Sequence, residues 1–208
     1  MRRMIAPLAL AVVVVVATVA VAVALRTDPA TVTSAGTGTP AGRRITSAGE
    51  LPAEGVTAPA VRATGWLNSE PLDPAALRGK VVLYEFWTFG CINCRNVQPH
   101  VKAWHQRYAA DGLVVLSIHT PEFDYEADAA AVADYVKAND IRFPVALDPN
   151  KDTWHAFANR YWPAFYLHDQ EGQRRLTHFG EGSYTQTEDA IRALLDVDPG
   201  SPRAEVSE

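Results

Sequence analysis

Two cysteines are the residues of this sequence that could carry out redox chemistry. Cys91 and Cys94 are the only cysteines in the chain, and Ile92 and Asn93 separate them. A disulfide across so short a spacing closes almost no loop and adds little stability, whereas an exported domain stabilised by cysteines would spread them along the chain. The spacing therefore indicates a reactive dithiol rather than a structural bridge.

The segments on either side of the cysteines position them. Apolar patterning predicts a buried strand over residues 81–86 and a helix over residues 97–108, so the pair lies where a strand gives way to a helix. A cysteine in the first helical turn is close to unpaired amides and to the positive end of the helix dipole, which stabilise its thiolate. We predict that Cys91 is the nucleophile and that Cys94, on the same helix face, resolves the mixed disulfide.

The remainder of the domain alternates between strand and helix patterns. Strands are predicted at 113–118, 143–147, 164–168 and 174–179, and helices at 127–138, 152–161 and around 191–195. Thr185 and Glu188 fit a capping box at the start of the last helix. This order predicts an α/β fold with a mixed central sheet flanked by helices on both faces.

The N-terminus has the composition of an export signal. Arg2 and Arg3 precede an apolar run over residues 5–25 that contains no charged residue. The run is about as long as a bilayer-spanning helix, which favours an uncleaved signal anchor over residues 1–25, although the small residues 22–24 leave signal-peptide cleavage open. The remaining chain is then predicted to lie outside the cytoplasm, tethered at the cell membrane or released if cleaved.

Composition divides the exported part into three segments. Residues 26–60 are rich in Thr, Ala, Gly and Pro and are predicted to form a flexible linker. Residues 61–197 suit one compact domain, and residues 198–208 are predicted to form a disordered tail. The formal net charge of −5 has no basic stripe, so we expect no nucleic-acid partner. We also expect a monomer without a cofactor.

Several motifs resemble those of thioredoxin-like proteins. Residues 85–87 followed by the cysteine pair resemble their active-site stretch, Pro99 occupies the place of the proline that kinks the active-site helix, and Pro163 that of a cis-proline. More narrowly, four stretches resemble the thioredoxin-like domain fused to bacterial DipZ/CcdA-type electron-relay membrane proteins, near the TlpA and redoxin branch: 87–94, 119–123, 161–164 and 178–182. The resemblance covers residues 66–195.

This resemblance implies a thioredoxin-like fold with a helix-strand insertion before the cis-proline. It also implies an extracytoplasmic thiol-disulfide oxidoreductase whose partners are protein thiols and disulfides, such as those of apocytochromes or other exported proteins. If the protein works in its reduced form, a membrane thiol carrier of the CcdA/DsbD type must supply electrons. Ile92 and Asn93 depart from the residues usual between such cysteines, so the direction of electron flow stays open.

The resemblance also suggests roles for residues outside the dithiol. Glu85 takes the position of a buried aspartate, and we interpret it as the proton acceptor for Cys94, with an edge-facing glutamate that is solvated or hydrogen-bonded as the alternative. Pro163 would lie in cis against the sulfurs, and Trp162 would form an apolar lip or else a core aromatic. Trp87 is predicted to contribute to substrate binding together with Trp162 and Pro163, or else to pack around the site.

Three other functions are compatible with parts of this sequence. A peroxiredoxin-like peroxidase would explain the spacing of Thr88 and Cys91, but Tyr84 stands where those enzymes have a proline. A copper-binding chaperone would use the two thiolates, although no paired histidines lie near them, and we expect no metal site. A purely structural module would be expected to lose one of the cysteines.

Overall fold

One mixed sheet of six strands organises the protein. The computed structural model describes residues 44–206. The strands are β1 (Gly65–Leu67), β2 (Val81–Trp87), β3 (Leu113–His119), β4 (Val145–Leu147), β5 (Ala164–His168) and β6 (Arg174–Phe179). Their spatial order is β1-β4-β3-β2-β5-β6, with β2, β3 and β4 parallel and the others antiparallel to their neighbours. The predicted α/β fold with a mixed sheet is confirmed.

Helices cover both faces of this sheet. They are α1 (Ile92–Tyr108), α2 (Ala129–Ala138), α3 (Asp152–Ala156) and α4 (Tyr184–Leu194). Every residue of β2 is buried, and alternate residues enter two different cores. Leu83 and Trp87 pack in the core that α1, α2 and α4 share, whereas Tyr84 and Phe86 pack with Trp154 on the opposite face. A central strand buried on both faces explains its unbroken apolar pattern.

Two elements differ from the sequence prediction. Strand β1 was not predicted, since its three half-buried residues show no clear alternation and acquire their strand geometry by pairing with β4. The helix predicted at 152–161 ends at Ala156, because Ala158 has a left-handed φ of 51° that no helix can continue through.

The predicted capping box of α4 is wrong. The helix begins at Tyr184, so Thr185 and Glu188 are already helical, and the N-cap is Ser183. The carboxylate of Glu188 instead accepts hydrogen bonds from the Tyr108 hydroxyl at 2.6 Å and from the Ala204 amide at 2.8 Å. These tertiary contacts take the side chain away from the helix terminus.

Contacts of the compact domain extend beyond the boundaries predicted at residues 61 and 197. On the N-terminal side, the Arg175 guanidinium donates to the backbone carbonyls of Ala48 and Leu51. On the C-terminal side, the Arg192 guanidinium donates to four carbonyls, those of Asp198, Pro199, Ser201 and Pro202. Residues 198–204 therefore lie against α4, which differs from the expected frayed tail.

The predicted anchor or signal peptide at residues 1–25 and the linker as far as residue 43 lie outside the described residues. Within residues 44–206, no helix is both long and apolar enough to cross a membrane.

Candidate active site

The two cysteines lie at the N-terminus of α1 in different environments. Cys91 is the N-cap residue, and its sulfur accepts a hydrogen bond from the Cys94 amide at 3.3 Å. Its side chain is partly exposed, whereas Cys94 is completely buried, and both are free cysteines. A sulfur that caps a helix lies at the positive end of the dipole, where negative charge is favoured. The dithiol thus pairs an accessible sulfur with a shielded one.

The environment of Cys94 favours its protonated form. Burial is the largest cause that raises the pKa of the Cys94 thiol above its ordinary value, and the hydrogen bond with Cys91 raises it further. A hydrogen bond from the Thr88 backbone amide acts in the opposite direction, and the charge of Glu85 adds to the increase. Cys94 therefore carries its proton at neutral pH and must lose it before it can attack a disulfide.

Glu85 is placed where it could take that proton. It lies on β2, on the face that packs against the core containing Cys94, and it is fully buried. The Ser117 hydroxyl donates to Glu85 Oε2 at 2.8 Å, while Oε1 has no hydrogen-bond partner within the described part of the chain. Burial raises the pKa of Glu85 from 4.5 to about 7, and the Ser117 hydrogen bond partly opposes this. The solvated alternative for Glu85 is excluded by its burial.

The Trp162–Pro163 peptide bond is cis, as the sequence predicts. Ala164 pairs with Phe86, so Pro163 lies beside the end of β2 from which the chain continues into the cysteine loop. Trp162 is half-buried: its indole Nε1 donates to the Thr120 carbonyl at 2.9 Å, and its ring packs 4.1 Å from that of Trp154. The side chain therefore combines core packing with a partly accessible face, which are the two alternatives that the sequence left open.

The assignment of Trp87 to substrate binding requires correction. Its side chain is fully buried, edge-on to His119 with ring centroids 5.0 Å apart and tilted against Tyr135 at 5.5 Å. A residue at the end of a central strand points into one of the two cores rather than to the surface. Trp87 packs beneath the cysteine loop and supports it, which is the alternative interpretation of this residue.

Sequence reasoning missed Glu126, which holds the cysteine loop in place. This carboxylate is fully buried and accepts three backbone hydrogen bonds, from Gly90 at 3.0 Å, Glu122 at 2.7 Å and Phe123 at 3.0 Å. Glycine is required at position 90, because a Cβ there would collide with the Glu126 carboxylate and would lie 2.7 Å from the Tyr125 hydroxyl. The sequence offers one local signal, a glutamate three residues into a helical turn, but nothing that connects it to Gly90.

A cluster of aromatic rings packs against the segment that contains the cysteines. Phe89 stacks against His119 with ring centroids 5.6 Å apart and against Tyr135 at 5.9 Å. Thr88 Oγ1 and His119 Nε2 lie 3.3 Å apart, and both side chains are buried. Burial lowers the pKa of His119 to about 4, against the opposing charge of Glu126, so this histidine is neutral at physiological pH.

Within residues 44–206, no three His, Cys, Asp or Glu side chains are grouped in a way that could hold a metal ion.

A mixed sheet with two cysteines at the start of a helix, and with a cis-proline immediately before the strand next to β2, defines a thioredoxin-like protein. The solution structure of an oxidised thioredoxin-like protein superposes with a TM-score of 0.62 at 28% sequence identity, covering 67% of this chain and 95% of the other. The crystal structure of a thiol-disulfide isomerase from Corynebacterium glutamicum superposes with a TM-score of 0.60 at 26% identity, covering 68% and 98%.

The chain belongs to the AhpC/TSA family, whose sequence profile matches residues 55–176. It is 32% identical over 130 residues to the thiol-disulfide oxidoreductase YkuV of Bacillus subtilis, covering 62% of this chain and 87% of the relative. It is 48% identical over 149 residues to the protein DipZ of Mycobacterium tuberculosis, covering 69% of this chain. The matched region spans only 21% of the length of DipZ.

Proposed function

We propose that this protein is an extracytoplasmic thiol-disulfide oxidoreductase that exchanges electrons with protein thiols and disulfides through Cys91 and Cys94. The observation that carries the proposal is the asymmetry of the dithiol. One sulfur is accessible and caps a helix, and the other is buried on the face of the sheet where Glu85 lies. YkuV, named a thiol-disulfide oxidoreductase, supports the same reaction class.

The geometry fits a two-step exchange. In the reducing direction, the Cys91 thiolate attacks a client disulfide, forms a mixed disulfide and releases one client thiol. Cys94 then transfers its proton to Glu85 and attacks the Cys91 sulfur, which releases the second client thiol and forms the Cys91–Cys94 disulfide. Two electrons pass from the dithiol to the client, and the reverse sequence oxidises a client dithiol.

The client segment is proposed to lie across Trp162 and Pro163, where the half-buried indole and the backbone before the cis-proline flank the cysteine loop. Exported proteins, including apocytochromes, are the proposed clients. The apolar run at residues 5–25 supports a membrane anchor with the domain outside the cytoplasm. The resemblance of the four motif stretches to domains fused to electron-relay membrane proteins supports a membrane thiol carrier as electron partner.

A thiol peroxidase is the second candidate, because the family profile and the spacing of Thr88 and Cys91 both agree with it. Two observations weigh against it. Thr88 is fully buried with its hydroxyl against His119, and Tyr84 belongs to the core on the opposite sheet face from the cysteines. Within residues 44–206, a copper ion would find no group of three His, Cys, Asp or Glu side chains at this site, which leaves the two sulfurs as its ligands.

The test uses the full-length protein in insulin-disulfide reduction driven by dithiothreitol, with hydrogen peroxide consumption measured in parallel. We expect the wild type to accelerate insulin reduction and Cys91→Ser to abolish the acceleration. If the protein consumes hydrogen peroxide faster than it exchanges disulfides, it is a thiol peroxidase and the proposed function is wrong. The reduction potential of the Cys91–Cys94 couple then establishes the direction of electron flow.

A further inference from the structure

The loop over residues 121–128, between β3 and α2, includes one turn of 3-10 helix at Asp124–Ala127 and has an unusual composition for a surface segment beside a reactive cysteine. Acidic and aromatic residues alternate along it as Glu122, Phe123, Asp124, Tyr125 and Glu126, and Asp128 follows. The sequence contains no lysine or arginine between Arg107 and Lys137. The surface that this loop presents is therefore both anionic and aromatic.

Two aromatic side chains of this loop are exposed rather than buried. Phe123 is 55% exposed and Tyr125 is 62% exposed, and their rings stack almost parallel with centroids 5.9 Å apart. The neighbouring carboxylate-bearing residues Glu122 and Asp124 are also exposed. Large exposed apolar groups that cluster together mark interaction surfaces more often than isolated ones do.

The loop adjoins the nucleophile directly. The Tyr125 ring lies 6.0 Å from that of Phe89, and the Tyr125 hydroxyl is close to Gly90, the residue before Cys91. The exposed side chain of Ile92, immediately after Cys91, adds a further apolar group. A polypeptide whose disulfide reaches the Cys91 sulfur must therefore place its flanking residues near this loop.

The loop is also held in one conformation. The buried Glu126 carboxylate binds the amides of Glu122 and Phe123 together with that of Gly90, so the loop and the cysteine segment are joined at a single side chain. A preorganised surface loses little conformational entropy when a partner binds. Because Glu126 uses its carboxylate internally, Glu122 and Asp124 are the acidic groups available to a partner.

We propose that Glu122, Phe123, Asp124 and Tyr125 form a docking platform for client segments that carry lysine or arginine beside the reactive disulfide. The carboxylates attract the cation, and the aromatic faces accept it together with its aliphatic stem. The inference rests on the proposed oxidoreductase function and adds the class of client that the site prefers.

The test compares three short peptides that differ only at the residues flanking one cysteine, which is joined by a disulfide to glutathione. The flanking residues are arginine, glutamine or glutamate. The reduced full-length protein converts each peptide to its thiol and glutathione while its own dithiol becomes a disulfide, and chromatography gives the rate constants. At low ionic strength we expect the arginine peptide to react about three- to tenfold faster than the glutamate peptide, and salt to diminish the difference.

Variants then assign the preference to the loop. Glu122→Gln/Asp124→Asn should bring the arginine-to-glutamate rate ratio close to one. The matched control Glu70→Gln/Glu171→Gln removes two exposed carboxylates elsewhere and should leave the ratio as in the wild type. Phe123→Ala should slow the arginine peptide more than the glutamine peptide, because a cation loses its aromatic surface.

The outcomes separate this proposal from the function on which it rests. Equal wild-type rates for all three peptides at low ionic strength, or equal loss of preference in the control variant, would overturn the docking platform while leaving the oxidoreductase intact. A wild type that reduces no peptide faster than the Cys91→Ser variant would overturn the oxidoreductase itself.

Discussion

Ser117 and Glu85 are directly opposite each other on the parallel strands β3 and β2, and the Ser117 hydroxyl donates a 2.8 Å hydrogen bond to the Glu85 carboxylate. The pair lies in the core beneath the dithiol. Two effects on the pKa of Glu85 oppose each other. Burial raises this pKa to about 7, and the hydrogen bond from Ser117 partly opposes the increase because it stabilises the charged carboxylate. The pairing register of β2 and β3 therefore helps to set the pKa of Glu85, the proposed proton acceptor, near neutral pH.

Replacing Ser117 with Ala removes this donor. We expect the pKa of Glu85 to rise further, since nothing then offsets its burial at Oε2, and the pH profile of insulin-disulfide reduction to move toward higher pH. Ser117→Thr retains the hydroxyl and should keep the wild-type profile. A profile that does not move in the Ala variant would show that Glu85 does not control the rate.

Replacing Glu85 with Gln preserves the shape of the side chain and removes its basicity. At pH values above the Glu85 pKa of about 7 and below the thiol pKa of Cys94, exchange should slow by roughly ten- to a thousandfold, in the range of general base catalysis. The loss should fade at high pH, where Cys94 ionises unaided, and also at low pH, where Glu85 of the wild type is itself protonated. Insulin-disulfide reduction over a pH series measures this. Equal rates in both proteins across the series would mean that Cys94 transfers its proton elsewhere.

The same variant should alter the pH dependence of stability. The pKa of Glu85 is 4.5 as its ordinary value and about 7 in the folded protein. Between these values the unfolded chain releases a proton that the folded protein keeps, so Glu85 lowers wild-type stability as pH rises through this window. At pH 8 the free energy of unfolding of Glu85→Gln, measured by denaturant unfolding, should therefore exceed that of the wild type by on the order of 3 kcal/mol, and the difference should shrink toward pH 4.

Replacing Cys94 with Ser should trap clients on Cys91. Attack by Cys91 survives this change, but no second thiol remains to release the client, so mixed disulfides accumulate. Non-reducing electrophoresis of the variant, incubated with an exported protein fraction, detects these adducts. The Cys91→Ser/Cys94→Ser protein serves as the control, and absence of adducts in an otherwise folded Cys94→Ser variant would contradict the assigned roles.

Replacing Glu126 with Ala leaves three backbone amides without their acceptor. We expect the free energy of unfolding to fall by about 2–5 kcal/mol, measured by urea denaturation, and exchange at Cys91 to slow because the loop is no longer fixed. Glu126→Gln keeps one acceptor oxygen and should give an intermediate loss. Full stability of the Ala variant would show that the loop holds its shape without the carboxylate.

Replacing Arg203 with Ala tests the order of the C-terminal segment. Arg203 forms ion pairs with Glu188 and Asp189, both of which are nearly buried. Leaving these carboxylates without their partner should lower the free energy of unfolding by about 1–3 kcal/mol and speed proteolysis after residue 197. Arg142→Ala breaks an exposed ion pair with Asp140 and should change neither measurement. If the C-terminal segment were disordered, Arg203→Ala and Arg142→Ala would have the same free energy of unfolding and the same rate of proteolysis.

Local patterns in the sequence predicted the elements whose formation depends on neighbouring residues. The apolar run of β2, the helical spacing of α1 and the turn between β5 and β6 are local patterns, and the structure has each within a few residues of the prediction. The cysteine spacing likewise identified the dithiol, and the resemblance to thioredoxin-like proteins placed the cis bond before Pro163.

The contacts between side chains that are distant in sequence could be established only from the folded protein. Glu126 binds an amide 36 residues away in sequence, and Glu188 binds Tyr108 80 residues away instead of capping its own helix. Trp87 became a buried support because a central strand has no exposed face, which no spacing at the end of that strand reveals. A buried carboxylate takes whatever donors the folded chain brings to it, since leaving it unpaired is costly, and those donors come from segments far apart in sequence.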